Sequence, residues 1–173
     1  PEASRFAHPG WVVRVIDGHI GTPFSAPVLP PPDFRIFDTE LRAIHGLKPS
    51  YIVGAEQWPR ILERIEQFII GPDGRRLPLV AHNAAFERSV IRQTSAETGV
   101  ADPGFEYFCT VKLARLVDPG SPNHKLNTLA ERYGIEQLHH HDAGDDALVG
   151  ARLMQHLMTA KSAPRHLRAS LLR

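Results

Sequence analysis

Along this chain, short β-branched apolar runs alternate with longer stretches whose apolar residues fall at helical spacing. Residues 11–16, Trp-Val-Val-Arg-Val-Ile, are strand formers, and Asp17-Gly18 followed by His19-Ile20 marks a tight turn into a second strand. The pattern predicts a hairpin. Residues 26–33 carry four prolines, which suit neither a central strand nor a helix interior, so they form an extended connection. It leads to Ile44-His45-Gly46-Leu47. Trp58, Ile61, Leu62, Ile65, Phe68 and Ile69 then repeat with helical period, and Pro59 is tolerated near a helix start. This predicts an amphipathic helix over 58–70 whose apolar stripe is core.

Gly71-Pro72-Asp73-Gly74 ends that helix, and the short apolar run 77–81 has the profile of a buried strand with Pro78 near its beginning. It runs into His82-Asn83, where Asn83 is placed to cap a helix that turns Phe86, Val90 and Ile91 inward and carries Glu87 one turn in. A carboxylate just past a strand's C-terminal end is well placed for a site in an open α/β sheet. A first-turn glutamate favoured only by the helix dipole explains Glu87 equally well. Tyr107-Phe108-Cys109 is a further strand, entering a helix capped by the Thr110 hydroxyl with Leu113, Leu116 and Val117 inside. Residues 123–125 introduce a helix through Leu126, Leu129, Ala130 and Tyr133, closed by Gly134. The last helix covers 143–158, with Ala147, Ala151, Met154 and Met158 facing in. Such alternation is that of an α/β fold.

A length of 173 residues suits one domain. We expect residues 1–160 to form it and 161–173 to be a basic C-terminal tail. The formal charge is +1, so no global basic field announces nucleic acid. Locally the balance differs: no acidic residue follows Asp146, while Arg152, Lys161, Arg165, Arg168 and Arg173 remain, either as a solvated tail or as phosphate contacts. A lone Cys109 excludes an intrachain disulfide framework and fits a reducing interior. No apolar run nears the ~20 residues of a membrane span and no leader opens the chain. The expectation is a cytoplasmic protein with no membrane contact.

The chemistry concentrates in residues 139–146, where three histidines meet three aspartates. Imidazole titrates near neutrality and clustered carboxylates attract Mg²⁺ or Mn²⁺, so a proton acceptor and a metal ligand stand side by side. A loop histidine followed five positions later by an aspartate in a helix's first turns brings the two side chains to one point, as His141 and Asp146 do. The plainer reading is a polar loop with Asp142 as N-cap and acids favoured by the helix dipole. His141-Asp142 also resembles the HD-type phosphohydrolase dipeptide, although those proteins are helical. A zinc site on the three histidines lacks a cysteine partner at suitable spacing.

Four segments occur in order at suitable separations: Ile44-His45-Gly46-Leu47, Leu79-Val80-Ala81-His82-Asn83-Ala84-Ala85-Phe86, Cys109-Thr110, and His141 through Ala147. Over residues 11–158 the chain resembles the DnaQ-like DEDDh exonucleases, which include DNA polymerase III epsilon-like proofreading subunits and small 3′–5′ exonucleases. The resemblance implies a ribonuclease H-like α/β fold, a mixed five-stranded sheet flanked by helices. It implies two Mg²⁺ or Mn²⁺ ions held by four acidic residues, and a histidine that activates water for phosphodiester hydrolysis at the 3′ end of single-stranded nucleic acid, with a polymerase or repair protein as partner. Carried over, His141 becomes the general base, Asp146 and Glu87 become metal ligands, and Ile44, His45, Gly46, Leu47, His82, Asn83 and Phe86 contact substrate. His140 with Asp145 has the same spacing. His141 is preferred because Ala143 and Ala147 then fall where the family has small apolar residues.

Two departures qualify the match. The family places an aspartate where this chain has Glu87, one methylene longer. Its first motif, an aspartate and a glutamate two residues apart on the first and central strand, has no counterpart in residues 1–10, where Glu2 is the sole acid. The expectation is therefore an N-terminally incomplete exonuclease domain of impaired activity. The alternative is a catalytically inactive exonuclease-like domain that binds nucleic acid or a partner. DNA and RNA are not distinguished.

Overall fold

The computed structural model describes residues 10–30, 49–138, 142–160 and 163–164. His139, His140, His141, Ile44, His45, Gly46 and Leu47 lie outside the described residues, as does nearly all of the 161–173 tail.

The predicted hairpin is present and longer than expected. Asp17 and Gly18 both have positive φ, 49° and 77°, as the two central residues of a type I′ turn require. Around that turn β2 (Val15–Ile16) pairs antiparallel with β3 (His19–Ile20), and farther out β1 (Gly10–Val12) pairs with β4 (Phe24–Ala26). Between the two ladders Val13 and Arg14 on the first arm oppose Gly21, Thr22 and Pro23 on the return, so the hairpin contains a bulge. The Gly21 N–H donates to the Arg14 carbonyl there at 2.8 Å. Part of the proline-rich connection is a paired strand: its Val28–Leu29 segment, β5, pairs in parallel with β6 (Glu56–Gln57). Prolines 27 and 30 flank the two paired residues, so the ladder loses none of their donors.

Helix α1 (Trp58–Phe68) ends two residues before the predicted limit, and Ile70 instead forms an antiparallel bridge to Arg76. Its stripe of Trp58, Ile61, Leu62 and Ile65 is buried as predicted. Each such side chain contributes roughly 1.5–3 kcal/mol on burial. The Trp58 indole N–H donates to Ser95 Oγ at 2.9 Å, tying α1 to helix α2 (Ala84–Glu97).

The centre of the fold is the parallel pair β7 (Leu79–Ala81) and β8 (Tyr107–Cys109), with Leu79 opposite Tyr107 and Val80 opposite Phe108. Strand alternation sends these two rungs to opposite faces. Leu79 and Tyr107 join the cluster of Trp58, Ile61, Ile65, Ile69 and Phe105. Val80 and Phe108 join that of Leu113, Leu129, Leu153, Met154 and Leu157. The second cluster unites helices α3 (Thr110–Val117), α4 (Leu126–Arg132) and α5 (Ala143–Thr159). Two helical layers thus enclose a sheet. Among the described residues the ladders form four two-stranded pairs, parallel and antiparallel both represented, as in a mixed sheet.

Helix α5 also packs against β1 and β7. The hairpin is fixed to it at two points: the Trp11 ring lies over Gly144, and Gln155 Nε2 donates to the Gly18 carbonyl at 2.6 Å. No described helix is long and apolar enough to cross a membrane.

Two expected inward residues face solvent. Phe86 is 52% exposed and Leu116 is 56% exposed. The buried positions of α2 are Ala84, Thr94 and Ser95, none of them among those expected, and those of α3 are Thr110, Leu113 and Ala114, of which Leu113 was expected. Leu116 lies at the edge of its stripe, where an apolar residue is indistinguishable from the stripe by period alone, whereas Phe86 projects from the far side of α2.

Candidate active site

Three helices begin around the C-terminal ends of β7 and β8, and their first turns carry the polar side chains. Asn83 precedes α2, but not as a side-chain cap: its φ is 79°, its side chain makes no capping bond, and its carbonyl accepts from the Phe86 N–H at 2.8 Å. Asparagine is among the few residues that adopt this left-handed conformation at modest cost. The turn lets α2 start immediately after the strand and brings Glu87 into its first turn.

Thr110 likewise does not cap its helix. Its hydroxyl is committed across the sheet to His82, with Oγ1 and Nδ1 2.8 Å apart. The other ring nitrogen of His82, Nε2, lies 3.0 Å from the His124 carbonyl oxygen. A carbonyl only accepts, so Nε2 carries the proton and Nδ1 accepts from Thr110. Burial pushes the His82 pKa down, outweighing the nearby His124 carbonyl and Asp146 carboxylate that raise it, which agrees with a neutral ring. His124 in turn donates from Nε2 to the Asp118 carbonyl at 3.0 Å. His82 is thus an internal tie between sheet and loop, with both nitrogens occupied by protein. A cavity of about 520 Å³ beside Asp118, Arg132, Tyr133 and His156 includes none of the predicted site residues.

Asp146 stands in the first turn of α5. Asp142 caps that helix as expected, its Oδ1 accepting from the Gly144 and Asp145 N–H groups at 3.0 Å each. Asp146 Oδ1 accepts from Gln137 Nε2 at 2.8 Å. Sequence reasoning did not single out Gln137, because no period or motif marks a glutamine in a loop.

Glu87 is different. Its Oε2 is buried and takes no hydrogen bond, and burial raises its pKa above the usual carboxyl value. A buried carboxylate oxygen without a donor is costly unless something neutralises it. The same buried setting pushes the Tyr107 hydroxyl up to about 12, through burial first and the charges of Asp102 and Glu87 after it.

Backbone donors converge here as well. Burial pushes the Cys109 thiol up, but the N–H groups of Lys112, Ala84, Asn83 and Val111 reverse this and leave it below its ordinary value. These amides belong to the starts of α2 and α3, so the positive ends of two helices meet at the strand ends.

Glu87 and Asp146 carry hard oxygen donors of the kind a divalent cation takes, one with an unsatisfied oxygen. Among the described residues no group of three His, Cys, Asp or Glu gathers about one point. The donors fit a cation in kind. Phe86 and Asn83, in the turn that leads to Glu87, are exposed.

Residues 13–154 match the family model described as exonuclease, RNase T. The PolC-type DNA polymerase III of Clostridium perfringens is 32% identical over 145 residues, 83% of this chain and 9% of that protein. That of Streptococcus thermophilus is 29% identical over 154 residues, 88% of this chain and again 9% of the relative. The chain therefore spans under a tenth of these polymerases. Among solved structures, exonuclease X in complex with 5′ overhanging duplex DNA superimposes with a TM-score of 0.71 at 24% identity, covering 97% of this chain and 93% of the other. The nuclease domain of 3′hExo, a DEDDh family member bound to rAMP, gives 0.71 at 15% identity, covering 85% and 76%. These likenesses carry the ribonuclease H-like fold, and a mixed α/β domain of this kind excludes the helical HD-type alternative. By the match over 13–154, the chain belongs to the RNase T exonuclease family, and it resembles the DnaQ-like DEDDh 3′–5′ exonucleases.

Proposed function

We propose that this domain removes nucleotides from the 3′ end of single-stranded DNA with a divalent cation held by Glu87 and Asp146. The observation that carries the reading is the buried, donorless Oε2 of Glu87 at the end of β7. Mg²⁺ or Mn²⁺, when bound, supplies a polarised water and charge stabilisation at the leaving oxygen. Glu87 and Asp146 would hold the ion. His141, five positions before Asp146, takes the proton from the attacking water. His82, neutral and bonded on both sides, keeps β7 in register with the 118–124 loop. Asn83 and Phe86 meet the terminal nucleotide, Phe86 through an exposed ring suited to base stacking. Ile44, His45, Gly46 and Leu47 complete the grip on that nucleotide. The amides at the starts of α2 and α3 favour phosphate at the strand ends.

DNA is preferred over RNA because the relatives near 30% identity are DNA polymerases. The same relatives support a polymerase as partner and a cytoplasmic setting. Two of the four acidic positions of the family pattern have counterparts in these 173 residues, one of them as Glu87, so hydrolysis by this polypeptide alone is slow. The test is digestion of a 5′-labelled single-stranded oligonucleotide in Mn²⁺. A slow ladder shortening from the 3′ end and abolished by EDTA is expected. Saturable binding with no shortening would instead favour a non-catalytic nucleic-acid-binding domain, and shortening that survives EDTA would contradict the metal.

A further inference from the structure

We propose that Gln137 is a positioning residue that orients Asp146 for the cation. This rests on Asp146 being a metal ligand. Gln137 sits in the connection between α4 and α5, three residues beyond Gly134. That glycine has φ 65°, and the turn is closed by Gly134 N–H to the Glu131 carbonyl at 3.1 Å and Ile135 N–H to the Ala130 carbonyl at 2.8 Å. Ile135 packs against the cluster of Leu129 and Leu153. The backbone leading to Gln137 is thus anchored two residues before it, by a Schellman closure with its hydrophobic contact.

From there the side-chain amide reaches Asp146 Oδ1 at 2.8 Å, in a half-buried setting. An aspartate in a first turn is free to rotate about two bonds. Fixing one oxygen selects a single rotamer and leaves the other oxygen oriented before any ion arrives. The chemistry of the donor matters too. A lysine or arginine would hold the carboxylate as firmly but would cancel the charge the cation needs. A neutral amide orients without neutralising. Ligating carboxylates are commonly held this way by a hydrogen-bonded neighbour, and loss of that neighbour weakens metal binding roughly 10–100-fold.

The experiment titrates Mn²⁺ into the whole chain and follows the free ion by electron paramagnetic resonance, with thermal unfolding recorded alongside. Gln137→Met keeps length and removes the donor, and is expected to weaken Mn²⁺ binding by about 10–100-fold with an unfolding temperature close to the unchanged chain. Gln137→Lys keeps a donor, so a merely structural role would be satisfied, yet its charge is expected to weaken Mn²⁺ binding as well. If Asp146→Asn abolishes binding while both Gln137 variants bind like the unchanged chain, the positioning role is overturned. If Asp146→Asn itself binds Mn²⁺ normally, or the unchanged chain binds none, the ligand assignment fails and the role of Gln137 falls with it.

Discussion

His82 and Thr110 form the rung that follows the last backbone pair of the central β7–β8 ladder. They are 28 residues apart, the same separation as Leu79 and Tyr107, and their side chains take over where the strands stop, joined at 2.8 Å. Thr110 is fully buried, so its hydroxyl has no water to fall back on. Thr110→Val keeps the shape, removes the donor and strands Nδ1 of His82. The expected loss is about 1–3 kcal/mol, read as a lower urea midpoint with unchanged slope. A midpoint equal to that of the unchanged chain would contradict this role.

Gly144 has a second kind of constraint. A Cβ at this position would stand 3.1 Å from three atoms of the Trp11 ring, too close without movement. Alanine ordinarily stabilises a helix by up to ~1 kcal/mol over glycine, so two effects of opposite sign compete. With Trp11 in place Gly144→Ala is expected to destabilise by roughly 1–3 kcal/mol, the usual cost of overpacking. In a Trp11→Ala background the same change should be neutral or stabilising. Equal effects of Gly144→Ala in both backgrounds would show that the ring and the helix do not meet.

Glu87 links stability to pH with a definite sign. Burial raises its folded pKa above the usual 4.5, so the folded chain holds the proton more tightly than the unfolded one. Stability supported by the protonated form is complete below the unfolded pKa and is lost as pH rises through the raised value. Glu87→Gln removes that loss. In EDTA at neutral pH the variant should melt a few degrees higher, about 1 kcal/mol corresponding to ~2–4 °C at this size, and the advantage should vanish below pH 4.5, the ordinary value. A variant less stable at neutral pH would contradict the unpaired buried charge.

Local chemistry explains what the sequence made legible. Asp17-Gly18 announced its turn because few pairs accept two positive φ values. Residues 107–109 were placed to the residue because an apolar run ends at a polar threonine, and Asp142 was recognised as a cap from its place before a helical pattern. What stayed hidden depends on partners far along the chain. Thr110 was expected to cap its own helix, whereas its partner is His82; the second partner of His82 lies 42 residues away. Gln137 carried no local signal, Leu116 was drawn inward by a period that does not resolve the stripe's edge, and Phe86 by its apolar character alone, since the buried side of α2 is built from Ala84, Thr94 and Ser95. Glu87 was found as a motif position, but its donorless oxygen is a property of the packed state alone.

His141 provides a kinetic test of the chemistry. A positioned general base contributes ~10²–10⁴-fold, so His141→Ala should lower Mn²⁺-dependent release of nucleotides by that factor while leaving oligonucleotide binding in place. His140→Ala should leave the rate nearly unchanged. The reverse pattern would move the base to His140, the other histidine five positions before an aspartate.

The most direct measurement is a crystal structure of the chain grown with Mn²⁺, in which anomalous scattering locates the ion. Glu87 and Asp146 are expected on one manganese at about 2.0–2.2 Å, the distance at which small hard cations take carboxylate oxygens, with Gln137 still donating to Asp146. An anomalous peak elsewhere, or the two carboxylates more than about 10 Å apart and so beyond any shared pair of ions ~4 Å apart, would contradict the site.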